Sequence, residues 1–458
     1  MLLADGARFD LMQSLLQAGE LPNIAEHIVS RGGFKKGVTV FPSTTGPAYI
    51  PFLMGCLPGT VNVTGIRWFD KQKYKHRSYV GPETLLMRRD ISKQYRMLFE
   101  IFPKSYSLFS SVYRGPCKRD LTGVMRLWYA YYAHLTDHWH FLDTVAAEKT
   151  LKQIEKDFQL LFTVLPGIDE HSHMCHPHHE ATLGSYRFLD KTVGEIAKKL
   201  KALGRYDETL LWIFSDHGLT KTDTHFCVNT FLEEHGIPPF YYPKILHRLG
   251  KKAANMVSGN GMTHLYFKGD QSWNESTPRE YLEKRYPNLI SDLLKEEAVD
   301  LLAVRNQTGG VDVLSKLGEA TIQLEATRVS YQVVTKDPFG FNPLPKEMDA
   351  ASVLEQTINS TYPDAIWQLA HLFKASRTGD IVLSAKPGFD LRKAYEVPEH
   401  KGSHGSLHVD HMLVPILTNA DFPESVLRTI DVFPTTLALL GVPIPKNIDG
   451  ISRLQCSA

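Results

Sequence analysis

Four short stretches hold the side chains most suited to chemistry in this 458-residue chain. LLADG near the N-terminus ends in Asp5, VLPGIDEHSH supplies Asp169 and His173, TLLWIFSDHG supplies Asp216 and His217, and GSHGSLH supplies His404. Each lies behind an apolar run or in a glycine-rich loop, and an open α/β sheet presents its chemistry at such strand ends. Carboxylates and neutral imidazoles are the ligands of zinc where cysteine is absent, and the mixed oxygen and nitrogen set also suits manganese. Three Asp and three His divide into two groups of three, each leaving room for substrate, whereas a closed structural zinc needs four protein ligands. Two cations about 4 Å apart clamp the attacking and leaving oxygens of an in-line displacement. The pattern points to two-metal phosphoryl transfer.

Each motif alone has a plainer reading. Asp5 before Gly6 can simply cap the next helix, and DEHSH can be a solvated turn. Cys175, His176, His178 and His179 can form an adventitious metal patch, and His404 competes with His408 and His411. Only the joint occurrence of the four stretches selects a metal site. The nucleophile candidates are Ser43, Thr44 and Thr45, because a hydroxyl at a helix N-terminus faces free N–H groups that attract phosphate. A cation touching that oxygen favours the alkoxide. At this level the three hydroxyls are equivalent, and each can equally be only a helix cap.

The elements that must position these residues follow from apolar periodicity. LLAD, KGVTVF, QLLFTVLPGID and TLLWIF read as strands. Helices are expected over Leu11–Ala18, from Pro22, and over SYRFLDKTVGEIAKKLKALG, where Leu189, Val193, Ile196, Leu200 and Leu203 share a face and Gly204 ends the helix. Helices between strands imply parallel pairing. Residues 71–158 read as mostly helical, an insertion or lid, with Asp143 as an N-cap candidate. Within them, LWYAYYAHLTDHWHF is either a lid or core helix or an interfacial membrane patch with a thin basic flank. From 226 to about 400, HLYF, LLAVR, GGVDVLSK, EATIQLE and RVSYQVV alternate with turns as an inserted α+β module. HMLVPILT and TIDVFPTTLALLG then return to the first sheet. The expected fold is a doubly wound, mostly parallel α/β sheet, with a main domain of residues 1–225 and 401–458.

Composition narrows the partners. Hydrophobic residues at 43% and charged residues at 22% describe an ordinary globular chain. A net charge of +1 argues against broad binding of nucleic-acid polymers, so phosphate must be met by local groups or bound cations. Five scattered cysteines without CxxC spacing indicate neither a disulfide framework nor a cysteine-zinc module, and a reducing, cytoplasmic setting fits. No apolar run reaches the roughly 18–20 residues of a transmembrane helix. MLLADG starts inside a strand with no leader ahead of it, so either the protein begins there or upstream residues are missing, and localisation stays open.

With these motifs in hand, the chain resembles the alkaline phosphatase superfamily and, within it, the type I phosphodiesterase/nucleotide pyrophosphatase branch. The resemblance covers residues 1–70, 160–225 and 402–450. Family members read strand–Asp–Gly, a Thr nucleophile ten residues before a Gly, Asp-x-x-x-His, Ser-Asp-His-Gly and a His-Gly. Here those positions are Asp5-Gly6, Thr45 with Gly55, Asp169 and His173, Asp216 and His217, and His404-Gly405. The resemblance implies an alkaline-phosphatase-like fold and two zinc ions, one held by Asp169, His173 and His404, the other by Asp5, Asp216 and His217. It also implies a phospho-threonine intermediate on Thr45 in the cleavage of phosphodiester or pyrophosphate bonds.

Two positions depart from the family. The Asn that donates to a phosphate oxygen in nucleotide-cleaving members falls near Ile66, flanked by Asn62 and Arg67, so those two become the substrate-binding candidates. Ser172 replaces the small glycine before the metal His. Arg67 in the donor's place suits a more highly charged phosphate, which makes a phosphomonoesterase or phosphonate hydrolase the alternative. Cys56-Leu57-Pro58 begins like a sulfatase signature but has Thr60 where that signature needs Arg. From a different class, an inert metal- or lipid-binding module is set against the intact ligands and hydroxyl.

Overall fold

The computed structural model describes residues 1–80, 82–136, 138–241, 243, 250–393, 399–423 and 426–454; Cys456 and parts of the stretches read above as 226–400 and LWYAYYAHLTDHWHF lie outside them. Its principal sheet has eight strands in the order Val426–Arg428, Gly33–Val38, Leu413–Thr418, Trp212–Phe214, Leu2–Ala4, Leu160–Leu165, Ser105–Leu108 and Lys118–Asp120. Every neighbouring pair is parallel except those made by Leu413–Thr418, which runs antiparallel to both of its partners. The sheet is therefore α/β and mostly parallel. Leu2–Ala4 and Leu160–Leu165 are buried along their whole lengths, as strands covered on both faces must be, which is why they read as unbroken apolar runs.

The helix Glu180–Ala202 buries Leu189, Val193, Ile196 and Leu200 in the same core cluster as these strands. It ends at Leu203, followed by Gly204 at φ 66°. A second sheet of nine strands spans residues 239–385 and is antiparallel apart from its first pair. Its core joins the first sheet's edge, because Val38 and Phe41 pack in one cluster with Val313, Ile322 and Trp367. A small third sheet, Thr220–His225 between Gly388–Asp390 and Gly402–Ser403, ties loops of both halves together beside the site.

Two local readings are corrected. Residues 71–158 are not helical throughout: Ser105–Leu108 and Lys118–Asp120 form the far edge of the principal sheet, and Lys75–Ser78 pairs with Arg67–Asp70. These strands are short and carry Ser, Lys and Arg, so no apolar alternation marks them. Asp143 is not an N-cap. It lies inside the helix Trp139–Ile154, and its Oδ1 accepts the N–H of Gly167 at 3.1 Å.

Candidate active site

Five chain segments meet at the carboxyl edge of the principal sheet. Asp5 follows the first strand, and its N–H donates to the carbonyl of Leu165, locking two strand ends together. Gly6 turns the chain away at φ 73°; a Cβ there would lie 2.8 Å from Cα of Asp169, so the close approach of these segments requires glycine. Asp169 and His173 are four residues apart on the helix Gly167–Met174 and so share a face. Asp216 and His217 follow the strand Trp212–Phe214, and His404 follows Gly402–Ser403. Thr45 precedes Gly46 (φ 91°) and the turn Pro47–Tyr49 that opens the helix Ile50–Met54.

The structure brings all six ligand candidates together. Ligand atoms of Asp5, Asp216 and His217 lie within 4.8 Å of one another, and so do those of Asp169, His217 and His404. His217 thus belongs to both groups, while His173 joins through Asp169, with Nε2 3.4 Å from Oδ1. The His217 and His404 rings stack at 3.8 Å, and the His173 and His404 rings lie 5.2 Å apart. Each imidazole is oriented by a backbone carbonyl: Nδ1 of His173 faces Gly402 O at 2.7 Å, Nδ1 of His404 faces Ser43 O at 2.9 Å, and Nδ1 of His217 faces Gly218 O at 3.2 Å. A carbonyl only accepts, so Nδ1 carries the hydrogen and Nε2 keeps the lone pair, as in a metal ligand.

The carboxylates show the complementary feature. Asp5 Oδ1, Asp169 Oδ1 and Asp216 Oδ2 are buried and receive no hydrogen bond. Buried acceptors rarely stay unsatisfied, so three in one cluster fit a cation-binding role. Their other oxygens are held: the Tyr49 hydroxyl donates to Asp5 Oδ2, and the N–H of Gly6 donates to Asp216 Oδ1 at 3.3 Å. Burial, then the charge of Asp5, pushes Asp169 and Asp216 well above the usual carboxylate range. Burial also raises Asp5, against the opposing Tyr49 bond. Burial and neighbouring imidazoles hold His217 well below its ordinary value and His404 at about 3. Neutral imidazole is the ligating form, and bound cations would supply the charge that three adjacent carboxylates need in order to ionise. The donor set therefore fits two divalent ions.

The three hydroxyls separate cleanly. Ser43 donates to Ser406 O at 2.9 Å, and Thr44 Oγ1 is fully buried. Thr45 is the half-buried one, its Oγ1 3.1 Å from Nε2 of His217. It opens into a cavity of about 290 Å³ whose lining includes Asp5, Asp169, His173 and His404. Arg67, Arg126 and Arg392 give the cavity its cations, and Ile66, Phe109, Leu127 and Trp139 give it an apolar wall.

Asn62 is not in that lining. It caps the helix Pro58–Val61 in a left-handed conformation, and its amide binds Ser376 and the N–H of Arg377. Of the competing histidines, His408 caps the helix Val409–Met412, and His411 is bonded to Ser406 and Thr220. Cys175, His176 and His179 line a separate surface pocket and form no ligand group among the described residues. Cys56 is buried and absent from the cavity lining, away from the carboxylates and imidazoles, which speaks against the sulfatase reading.

Sequence reasoning missed Arg126, Arg392, Asn260, His400 and Glu170, all in the cavity lining. Burial raises Glu170 to about 8. The available signals were Glu170 directly beside Asp169 and Arg126 as the lone basic residue in an aromatic run; Arg392, Asn260 and His400 sit in loops that no motif marks.

A mostly parallel sheet with carboxylates and imidazoles gathered at its carboxyl edge is the arrangement that the resemblance to the alkaline phosphatase superfamily implies. The family model "Type I phosphodiesterase / nucleotide pyrophosphatase" matches residues 1–407, and the chain belongs to that family of phosphoric ester hydrolases. Murine ectonucleotide pyrophosphatase/phosphodiesterase 5 is similar in fold, with a TM-score of 0.60 at 13% identity over 98% of this chain and 96% of its own. An inactive variant of that protein, with one threonine changed to alanine, was solved in complex with AMP. Phosphonoacetate hydrolase from Sinorhizobium meliloti 1021, solved with phosphonoacetate, gives 0.56 at 14% identity over 94% of this chain and 93% of its own. A search of curated proteins finds no match.

Proposed function

We propose that this cavity cleaves a phosphodiester or pyrophosphate bond through a phospho-threonine intermediate on Thr45, with Asp5, Asp216 and His217 holding one divalent cation and Asp169, His173 and His404 the other. One observation carries the reading: Thr45 Oγ1 stands 3.1 Å from His217 Nε2, beside three buried carboxylates that each keep an oxygen without a donor. When bound, divalent cations (zinc by ligand chemistry, manganese as the alternative) favour the threonine alkoxide and neutralise charge on the transferring phosphoryl group.

The chain's own part is positioning. Backbone carbonyls hold the three imidazoles, Tyr49 and Gly6 hold two carboxylates, and the left-handed Gly46 turns the chain just after the nucleophile. Thr45 Oγ1, its proton lost to solvent, bonds to phosphorus as the bond to the departing alcohol or phosphate breaks, and water then bonds to phosphorus as the threonine oxygen leaves and regains a proton. An apolar wall of Ile66, Phe109, Leu127 and Trp139 lines part of the same cavity. The test is turnover of nitrophenyl phosphodiesters by metal-loaded protein, with trapping of phosphate on the chain. Wild type should label and Thr45→Ala should not; turnover undiminished in Thr45→Ala ends the reading.

A second reading has its own observation. The cavity presents Arg67 and Arg126 as cations, with Ile66 near the place where the family resemblance implies a neutral Asn in nucleotide-cleaving members. Added positive charge favours a dianionic monoester or phosphonate over a monoanionic diester. The ratio of nitrophenyl phosphate to nitrophenyl nucleotide hydrolysis distinguishes the two.

A further inference from the structure

The helix Val124–Thr136 forms part of the cavity wall through Leu127 and Ala130, yet its opposite face is also apolar. Val124 is 72% exposed, Trp128 67% and Leu135 80%, with Met125, Tyr131 and Tyr132 exposed between them. These positions follow helical spacing, so they form one stripe turned to solvent, and Phe141 of the next helix is exposed near it, against Tyr132. A continuous apolar stripe on a surface marks an interaction site. Tyr131 both belongs to the stripe and lines the cavity, so the two are continuous.

The composition and the rim identify the occupant. Trp and Tyr among Leu, Val and Met suit the boundary between lipid headgroups and acyl chains. At the N-terminal end of the helix, Arg88 and Arg119 both lie over the Tyr113 ring, 5.8 and 5.0 Å from its centre, and Lys118 is exposed beside them. None of these three cations makes an ion pair among the described residues, so the rim keeps its positive charge. The helix start lies beside Leu85, three residues before Arg88, since a Cβ at Gly123 would meet the Leu85 side chain at 3.7 Å, and this sets rim and stripe near one another. No described helix is long and apolar enough to cross a membrane, so this one can only lie on a surface.

We propose that the outward face of the Val124–Thr136 helix docks on an anionic lipid bilayer and sets the cavity mouth against its headgroups. The stripe enters the interface and the rim cations meet acidic lipid, each strengthening binding by about fivefold. Co-sedimentation of the full chain with phosphatidylcholine vesicles, with and without phosphatidylglycerol, tests this. Wild type should bind the anionic vesicles more tightly. Trp128→Glu with Leu135→Glu should lose binding about tenfold or more, since each side chain forgoes its burial in lipid. Arg88→Glu with Arg119→Glu should erase the preference for phosphatidylglycerol. These positions lie outside the cavity, so hydrolysis of a soluble nitrophenyl ester and the circular dichroism spectrum should not change. That activity is scored separately, so its failure bears on the proposed reaction and not on docking. Absence of wild-type binding, equal binding by the glutamate variants, or a wild-type dimer that those variants dissolve would each overturn the proposal, the last by assigning the face to a second copy of the chain.

Discussion

Chelation of divalent cations should lower the melting temperature of this protein by several degrees, and the size of the effect follows from the site. Three buried carboxylate oxygens receive no hydrogen bond: Asp5 Oδ1, Asp169 Oδ1 and Asp216 Oδ2. Leaving one buried polar atom unsatisfied costs about 1–3 kcal/mol, so three cost roughly 3–9 kcal/mol, which bound cations relieve. The unfolding entropy of 458 residues, at about 2.1 cal/mol/K each, is roughly 1 kcal/mol/K. The shift is then roughly 3–9 °C. Mass action agrees, because a ligand at 1,000 times its Kd stabilises by about 4 kcal/mol. Scanning fluorimetry of metal-loaded and chelated protein reads the shift, and elemental analysis counts the ions. Asp169→Asn should lose about one ion per chain and part of the shift. Superimposable melting curves together with less than one bound ion per chain would refute the cation-site argument.

Replacing Thr45 by Ala should cut kcat by roughly a thousandfold or more, with the far-ultraviolet spectrum unchanged, while Thr45→Ser keeps measurable turnover in the same assay. Arg67→Ala removes a cavity cation and should reduce kcat/KM by about tenfold or more, with a larger loss for monoester than for diester in a paired substrate assay. His264 gives the pH prediction. Its Nε2 faces Thr64 O at 2.8 Å, its Nδ1 accepts the N–H of Gly379 at 3.2 Å, and burial lowers it from 6.5 to about 4. The unfolded chain therefore takes up a proton below about pH 6.5 that the folded chain refuses until about pH 4. Stability from this residue is complete above that window and falls through it on acidification, by at most about 1.4 kcal/mol per pH unit. Urea midpoints measured across the window should show the slope, and His264→Gln should flatten it.

Much of the site was legible because its residues sit at strand ends, and strand ends announce themselves as apolar runs that stop at Asp or Gly. Asp5, Asp216 and His217 were found this way, and they share one ligand cluster. The helix carrying Asp169 and His173 was hidden, since GIDEHSHM is polar and short, although its i, i+4 spacing was already the clue. Adjacency alone left Ser43, Thr44 and Thr45 equivalent, and only the family spacing to Gly55 singled out Thr45; the contacts that set their surroundings apart, with Ser406 and His217, come from more than 170 residues away in the chain. Asn62 looked plausible by position, but a left-handed helix end turns its amide toward Arg377. The strands Ser105–Leu108 and Lys118–Asp120 were missed because edge strands with hydroxyls and charges lack the apolar alternation that periodicity detects.

The strand Leu413–Thr418, running against its neighbours in the middle of the principal sheet, bears on how the chain is assembled during synthesis. It separates Gly33–Val38 from Trp212–Phe214, so the sheet stays in two pieces until the ribosome has released residues beyond 418. The nine-stranded sheet, drawn wholly from residues 239–385, has all its strands in hand before that moment. Translation therefore delivers all nine strands of the accessory sheet first and the keystone of the principal sheet afterwards, and a chain cut short before residue 413 would leave the edges of two waiting strands bare.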